Sequence, residues 1–75
     1  MFEKVKEIIV ETINCSADAV TPEARLEEDL SMDSLDAVQL NMNIEEKLGI
    51  AIPDEELAKL KSVKDIVEYL EKNGQ

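Results

Sequence analysis

The chain of 75 residues has no histidine and a single cysteine, Cys15. Without an imidazole, neither a Ser-His nor a Cys-His nucleophile-base pair can be assembled. One thiol with no histidine also falls short of the usual nitrogen and sulfur ligands of a zinc site. Self-contained hydrolase chemistry is therefore not expected, and neither catalytic nor metal-ligating residues are assigned. A lone Cys15 cannot form an internal disulfide, which agrees with a reducing compartment, and it reads as a small, semi-buried hydrophobe.

Aromatic residues are scarce as well, 3% against 44% hydrophobic overall, so the core must be built from Ile, Leu, Val and Met. Such a core suits packed helices better than a sheet sandwich. Glycine and proline occur twice each, with no linker rich in Gly, Ser or Pro and no internal repeat. No apolar run approaches the roughly 20 residues needed to span a bilayer. The start, Met1-Phe2-Glu3-Lys4, lacks the charged and apolar regions of a signal peptide. The expectation is a cytoplasmic protein that does not insert into membranes. A chain this short buries only about 60% of its unfolded surface and has no room for a second core, so residues 1–75 are expected to form one domain.

Basic residues are few: eight against eighteen acids, a formal charge of −10. That balance repels nucleic acid and anionic membranes and favours cationic protein surfaces. The excess is concentrated between Glu23 and Glu56, where eleven acids face only Arg25 and Lys47. The run Asp29-Leu30-Ser31-Met32-Asp33 has the look of a calcium loop, but Ser34 stands at its sixth position, where Gly is needed, and Leu40 at its twelfth, where Glu is needed. A calcium sensor is rejected.

Phe2, Val5, Ile8, Ile9 and Ile13 recur at helical spacing and predict an amphipathic helix that Asn14 ends. A long connection follows from Cys15 to Met32, broken by Thr21-Pro22 and expected to be pinned to the core by Val20, Leu26 and Leu30. A second helix starts at Asp33, whose side chain can cap free amides with Asp36 three residues on, and Gly49 ends it. Projected at the 3.6-residue period, it carries two apolar stripes: Ala37, Leu40, Ile44 and Leu48 on one side, Leu35, Val38 and Met42 on the other. One stripe suffices to reach a core, so the second must cover another helix or await a partner. Pro53 followed by Asp54-Glu55-Glu56 predicts a short third helix. Ser62 and Asp65 form a capping-box pattern ahead of a last helix through Val63, Ile66, Val67 and Leu70, ending near Asn73-Gly74. The fold class is all-α: a small four-helix bundle of three principal helices and one short one, with a long first loop.

Within this frame Asp33-Ser34-Leu35-Asp36 places a lone hydroxyl at the mouth of the second helix, flanked by carboxylates. With Glu28-Asp29-Leu30 before it, Glu45-Glu46 after it, and Ile52-Pro53-Asp54-Glu55-Glu56 beyond, the segment resembles the prosthetic-group region of bacterial-type acyl carrier proteins. The likeness extends from about Phe2 to Leu70.

The resemblance implies that a phosphopantetheinyl transferase attaches 4'-phosphopantetheine from coenzyme A to Ser34, and that its thiol carries acyl groups as thioesters between fatty acid synthesis enzymes. It also implies a monomer whose Asp33, Asp36, Gln39, Glu45 and Glu46 meet basic patches on those enzymes, with Leu35, Val38 and Met42 as an apolar contact. An acyl chain would be sheltered by Leu26, Leu30, Ala37, Leu40, Ile44, Ile52, Leu57, Leu60, Ile66 and Tyr69.

The chain departs from the family pattern in several places. Ser31-Met32 stands for the common Gly-Ala, Gln39 for a glutamate, and Asn41 and Asn43 for residues that are often apolar. The amide of Asn41 is expected to reach solvent, bond the prosthetic arm, or make the pocket mouth more polar. The alternatives are a specialised carrier for polyketide or peptide assembly or for D-alanine transfer, and an unmodified acidic adaptor that binds proteins through Leu35, Val38 and Met42.

Overall fold

The computed structural model describes residues 1–73; the expected helix end at Gly74 lies outside them. Four α-helices follow in order: α1 (Phe2–Ile13), α2 (Ser34–Leu48), α3 (Asp54–Leu57) and α4 (Val63–Asn73). A short 3-10 helix, Ala17–Ala19, interrupts the first connection. No strand occurs among the described residues; the one extended pairing is an isolated antiparallel bridge between Arg25 and Ser62.

Each helix end follows from local chemistry. Asn14 stops α1 by turning left-handed at φ 55°, which Asn tolerates, and its N–H returns to the Val10 carbonyl. Gly49 ends α2 in the same way at φ 73°, a conformation that glycine adopts without a Cβ penalty. At the start of α4, the Asp65 N–H donates to Ser62 Oγ and the Ser62 N–H to Asp65 Oδ2, at 3.3 and 3.2 Å, closing the expected capping box.

α1 lies against α2 and α4, and its buried face of Val5, Ile8 and Ile9 meets Leu40 and Ile44 of α2 and Val63, Ile66 and Leu70 of α4 in one aliphatic core. Burying each such side chain contributes about 1.5–3 kcal/mol, so a core without tryptophan still holds a domain of this size. Two polar ties sit outside it. Lys47 Nζ pairs with Glu11 at 3.2 Å, and Asn43 Nδ2 donates to Thr12 Oγ1 at 2.8 Å while the Thr12 hydroxyl donates to the Ile8 carbonyl at 2.7 Å. Asn43 is thus a link between α1 and α2.

The first connection is more ordered than its composition suggests. Ser16 Oγ accepts from the Asp18 N–H and opens the 3-10 helix. Val20, Leu26 and Leu30 are buried as expected, joined by Ala24 and Met32. The loop also satisfies the amino end of α4: the Val63 and Lys64 amides, which lack partners within their own helix, donate to the Ala24 and Pro22 carbonyls at 3.0 Å each. In return the Leu26 N–H donates to the Lys61 carbonyl at 2.9 Å. These bonds hold residues 22–26 beside the amino end of α4, and Arg25 and Leu26 form part of the wall of the site.

Candidate functional site

Asp33 is the N-cap of α2, in extended backbone. Its Oδ1 accepts from the Asp36 N–H at 2.9 Å, and its own N–H donates to Asp36 Oδ2 at 3.3 Å. This reciprocal pair leaves the amides of Ser34 and Leu35 unpaired among the described residues, pointing out of the positive end of the helix. Ser34, the first helical residue, is exposed. Its approach is constrained from the other side by Ser31, which sits left-handed at φ 56° where the resemblance would place glycine. The turn is held by the Met32 N–H donating to the Leu26 carbonyl at 2.9 Å, so Met32 is buried and the chain emerges at Asp33 aimed along α2.

Ser34 stands on the rim of a cavity of about 590 Å³ between the first two turns of α2, the 25–32 loop and α3. Its lining is mainly apolar, with Leu26, Met32, Ala37, Val38, Leu40, Leu57, Ala58 and Leu60; among the described residues Ser34 is the only hydroxyl-bearing one in it. Charged groups mark the edge: Glu27, Glu28, Asp33 and Asp54 against Arg25 and Lys61. Arg25 is held there by Glu28 and Asp29, each at 3.2 Å. The Arg25 N–H also donates to Asp29 Oδ2 at 2.8 Å; this bond, ahead of the guanidinium, keeps the Asp29 carboxyl below its ordinary range. The hydrogen bond to Asp29 in turn raises the Arg25 guanidinium above its already high value.

The residues expected to shelter an acyl chain divide into three groups. Leu26, Ala37, Leu40, Leu57 and Leu60 line the cavity. Leu30, Ile44, Ile52 and Ile66 do not face it; they are packed into the core, Ile44 and Ile66 with no exposed surface at all. Tyr69 lines a separate shallow groove of about 280 Å³ with Leu60 and Lys72. Met32 and Ala58 were not anticipated: Met32 ends a loop with no periodicity from which a face could be read, and Ala58 lies just past α3.

The outer stripe of α2 is unpartnered: Leu35, Val38 and Met42 are 78%, 52% and 58% exposed. Val38 also borders the cavity, so the stripe and the cavity meet beside Ser34. Glu45 and Glu46 are exposed on the same helix. Gln39 is exposed too, with its Nε2 donating to Asn43 Oδ1 at 3.2 Å. Asp33 and Asp36 each commit one oxygen to the cap and retain further acceptor capacity. The half-buried Asn41 uses its amide within the fold. It bonds the backbone of Ile52 on the connection to α3, through Nδ2 to the carbonyl at 2.8 Å and through Oδ1 from the N–H at 3.1 Å.

A family model described as a phosphopantetheine attachment site matches residues 3–70. Among curated proteins, the acyl carrier protein of Helicobacter hepaticus is 54% identical over 72 residues, covering 96% of this chain and 95% of its own. That of Campylobacter hominis is 49% identical over 71 residues, covering 95% and 90%. That of Helicobacter pylori strain G27 is 48% identical over 73 residues, covering 97% and 94%.

Proposed function

We propose that this chain, which belongs to the acyl carrier protein family, carries acyl intermediates of fatty acid synthesis on 4'-phosphopantetheine bound to Ser34. A member of this family is a carrier and not an enzyme: its cofactor is phosphopantetheine, whose thiol supplies the thioester, and it works with partner enzymes. The observation that carries the assignment to Ser34 is its position, an exposed hydroxyl on the first turn of α2 and, among the described residues, the only one on the rim of the apolar cavity.

The residues around Ser34 fit the group. Attachment joins Ser34 Oγ to the phosphorus of the phosphopantetheine unit as the bond to the adenosine bisphosphate half of coenzyme A breaks. The hydroxyl proton leaves to a general base as the bond forms; this chain has no histidine to serve as one. The free Ser34 and Leu35 amides and the helix dipole favour the resulting phosphodiester, whereas Asp33 and Asp36 disfavour it and turn the arm away from themselves. Val38 and the mouth of the cavity lie on the side left open. An acyl chain entering there would rest against Leu26, Ala37, Leu40, Leu57 and Leu60.

Partner enzymes with basic patches would meet Asp33, Asp36, Glu45 and Glu46 around the exposed stripe of Leu35, Val38 and Met42. Exposed ion pairs of this kind are individually weak but speed encounter, which suits a carrier that docks and leaves repeatedly. The transferase that loads Ser34 would use the same face, and a monomer carrying one domain over residues 1–75 is sufficient for it.

The fatty acid role is supported by the acidity of the chain, eighteen acids against eight bases, which suits docking to basic enzyme patches. Asn41 and Asn43, the departures that pointed toward a specialised carrier, are bonded within the fold and lend that reading no support. The test is loading of the phosphopantetheinylated protein. Acceptance of malonyl from malonyl coenzyme A by a malonyl transferase supports the fatty acid role; loading only by an ATP-dependent adenylating ligase contradicts it.

A further inference from the structure

Asn41 lies one turn beyond Ala37 and Val38 on α2, and its amide closes on a single residue's backbone, that of Ile52, with both bonds within 3.1 Å. Neither backbone group of Ile52 has another partner among the described residues, so Asn41 supplies the whole pairing that a neighbouring strand would give. These are also the only side-chain hydrogen bonds between α2 and residues 50–60 among the described residues. Ile52 stands two residues before α3, a four-residue helix with sparse packing against the other helices. This tie therefore helps to fix the approach to α3, beside the buried Ile52 side chain and Leu57 packed against the core.

The cavity stops at the same place. It follows α2 past Ser34, Ala37 and Leu40 and reaches Leu57, yet neither Asn41 nor Ile52 lines it, and the next inner residue, Ile44, is fully buried. An apolar chain advancing beyond Leu40 would have to break both hydrogen bonds and leave backbone groups and an amide unsatisfied in apolar surroundings, a cost that one or two further methylenes do not offset.

We propose that Asn41 is a positioning residue that sets the depth of the cavity. With both bonds made, the acyl chain is confined to the first two turns of α2; with the bonds removed, the segment bearing α3 yields and the chain reaches the next turn, toward Ile44. This rests on Ser34 as the attachment site.

The test loads the full chain from a series of acyl coenzyme A thioesters, butyryl to palmitoyl, using a phosphopantetheinyl transferase. Intact mass confirms each product, and the thermal midpoint is followed against acyl length. For the wild type the midpoint rises with length and then levels off. For Asn41→Val it levels off about two to four carbons later, because one more turn of α2 adds about 5.4 Å. Asn43→Ala breaks the bond to Thr12, away from the cavity; it lowers every midpoint but levels at the wild-type length. Coincident levelling of Asn41→Val and wild type, or an equal shift in Asn43→Ala, overturns the proposal, as does a wild-type curve still rising at palmitoyl. Should Asn41→Val not fold, hydrogen exchange at the wild-type Ile52 amide decides. Its protection is kept at every acyl length, because the chain stops short of the two bonds; protection lost as the chain lengthens overturns the proposal. An unmodified Ser34 would overturn the attachment reading and this inference with it, whereas full loading with superimposed curves would overturn this inference alone.

Discussion

Replacing Asp33 separates two roles that one carboxylate plays at the start of α2. Its oxygen caps the Asp36 amide at 2.9 Å, and its charge faces both the positive end of the helix and the nearby Asp36 carboxylate. Loss of an N-cap side chain costs about 1 kcal/mol, within a range of about 0.5–2. The attraction to the dipole contributes about 0.3–1 kcal/mol at an exposed site. Repulsion from Asp36 is of opposite sign and at most about 1 kcal/mol in water, less with salt. The two charge effects nearly cancel, so the cap decides the outcome.

Asp33→Asn, which keeps an oxygen in capping position, should stay within about 0.5 kcal/mol of the wild type, since Asn and Asp cap equally well. Asp33→Ala should lose about 1 kcal/mol, equivalent to about 4–8 °C in Tm for a domain of this size. Urea unfolding of the unmodified proteins, followed by circular dichroism at moderate salt, measures both. If Asp33→Ala proved as stable as Asp33→Asn, which equally lacks the charge, the capping oxygen would contribute nothing and the cap would not be what starts α2.

Ser31 holds a left-handed backbone at φ 56°, which costs an L-residue about 1–2 kcal/mol. Ser31→Gly removes that cost but loosens the unfolded chain by about 0.4–1 kcal/mol, so a net gain of about 0–1.6 kcal/mol is expected as a higher urea midpoint; a lower midpoint would show that the serine side chain contributes more than its backbone costs. The Asp29 carboxyl, held low chiefly by the Arg25 N–H and then by the guanidinium, should titrate by NMR below the unperturbed value of about 3.9. Because the folded-state pKa is depressed, the stabilisation is complete above the unfolded-state value and is lost as pH falls through the folded one. Arg25→Ala should raise the Asp29 pKa only partially, since the backbone donor survives; a full return to the ordinary value would mean that the guanidinium is the larger cause.

The helices were legible because their signals are local. The α1 stripe, the Asp33 and Ser62 caps, and Asn14 and Gly49 as stops each need only a few neighbouring residues to act. The two stripes of α2 were also readable, the inner one because Leu40 and Ile44 are buried and the outer one because Leu35, Val38 and Met42 are left open. What escaped the sequence depends on pairings across the chain. The Cys15–Met32 connection takes its form from the free amides of α4, about forty residues away along the chain, and no periodicity announces that Met32 and Ala24 turn inward. Asn41 illustrates the limit well. An amide on a half-buried face needs a partner, but Ile52 could be named only once the approach to α3 was folded against α2. The cavity was half legible for the same reason: Leu26, Ala37, Leu40, Leu57 and Leu60 line it, while Ile44 and Ile66 are packed into the core.

The account turns on Ser34 as the residue that takes the prosthetic group, and intact-protein mass spectrometry tests it most directly. The wild type and Ser34→Ala are incubated with coenzyme A, magnesium and a phosphopantetheinyl transferase. The prediction is a gain of one phosphopantetheine on the wild type and none on Ser34→Ala; a gain on both would place the attachment elsewhere, and no gain on either with several transferases would contradict the carrier assignment of this site.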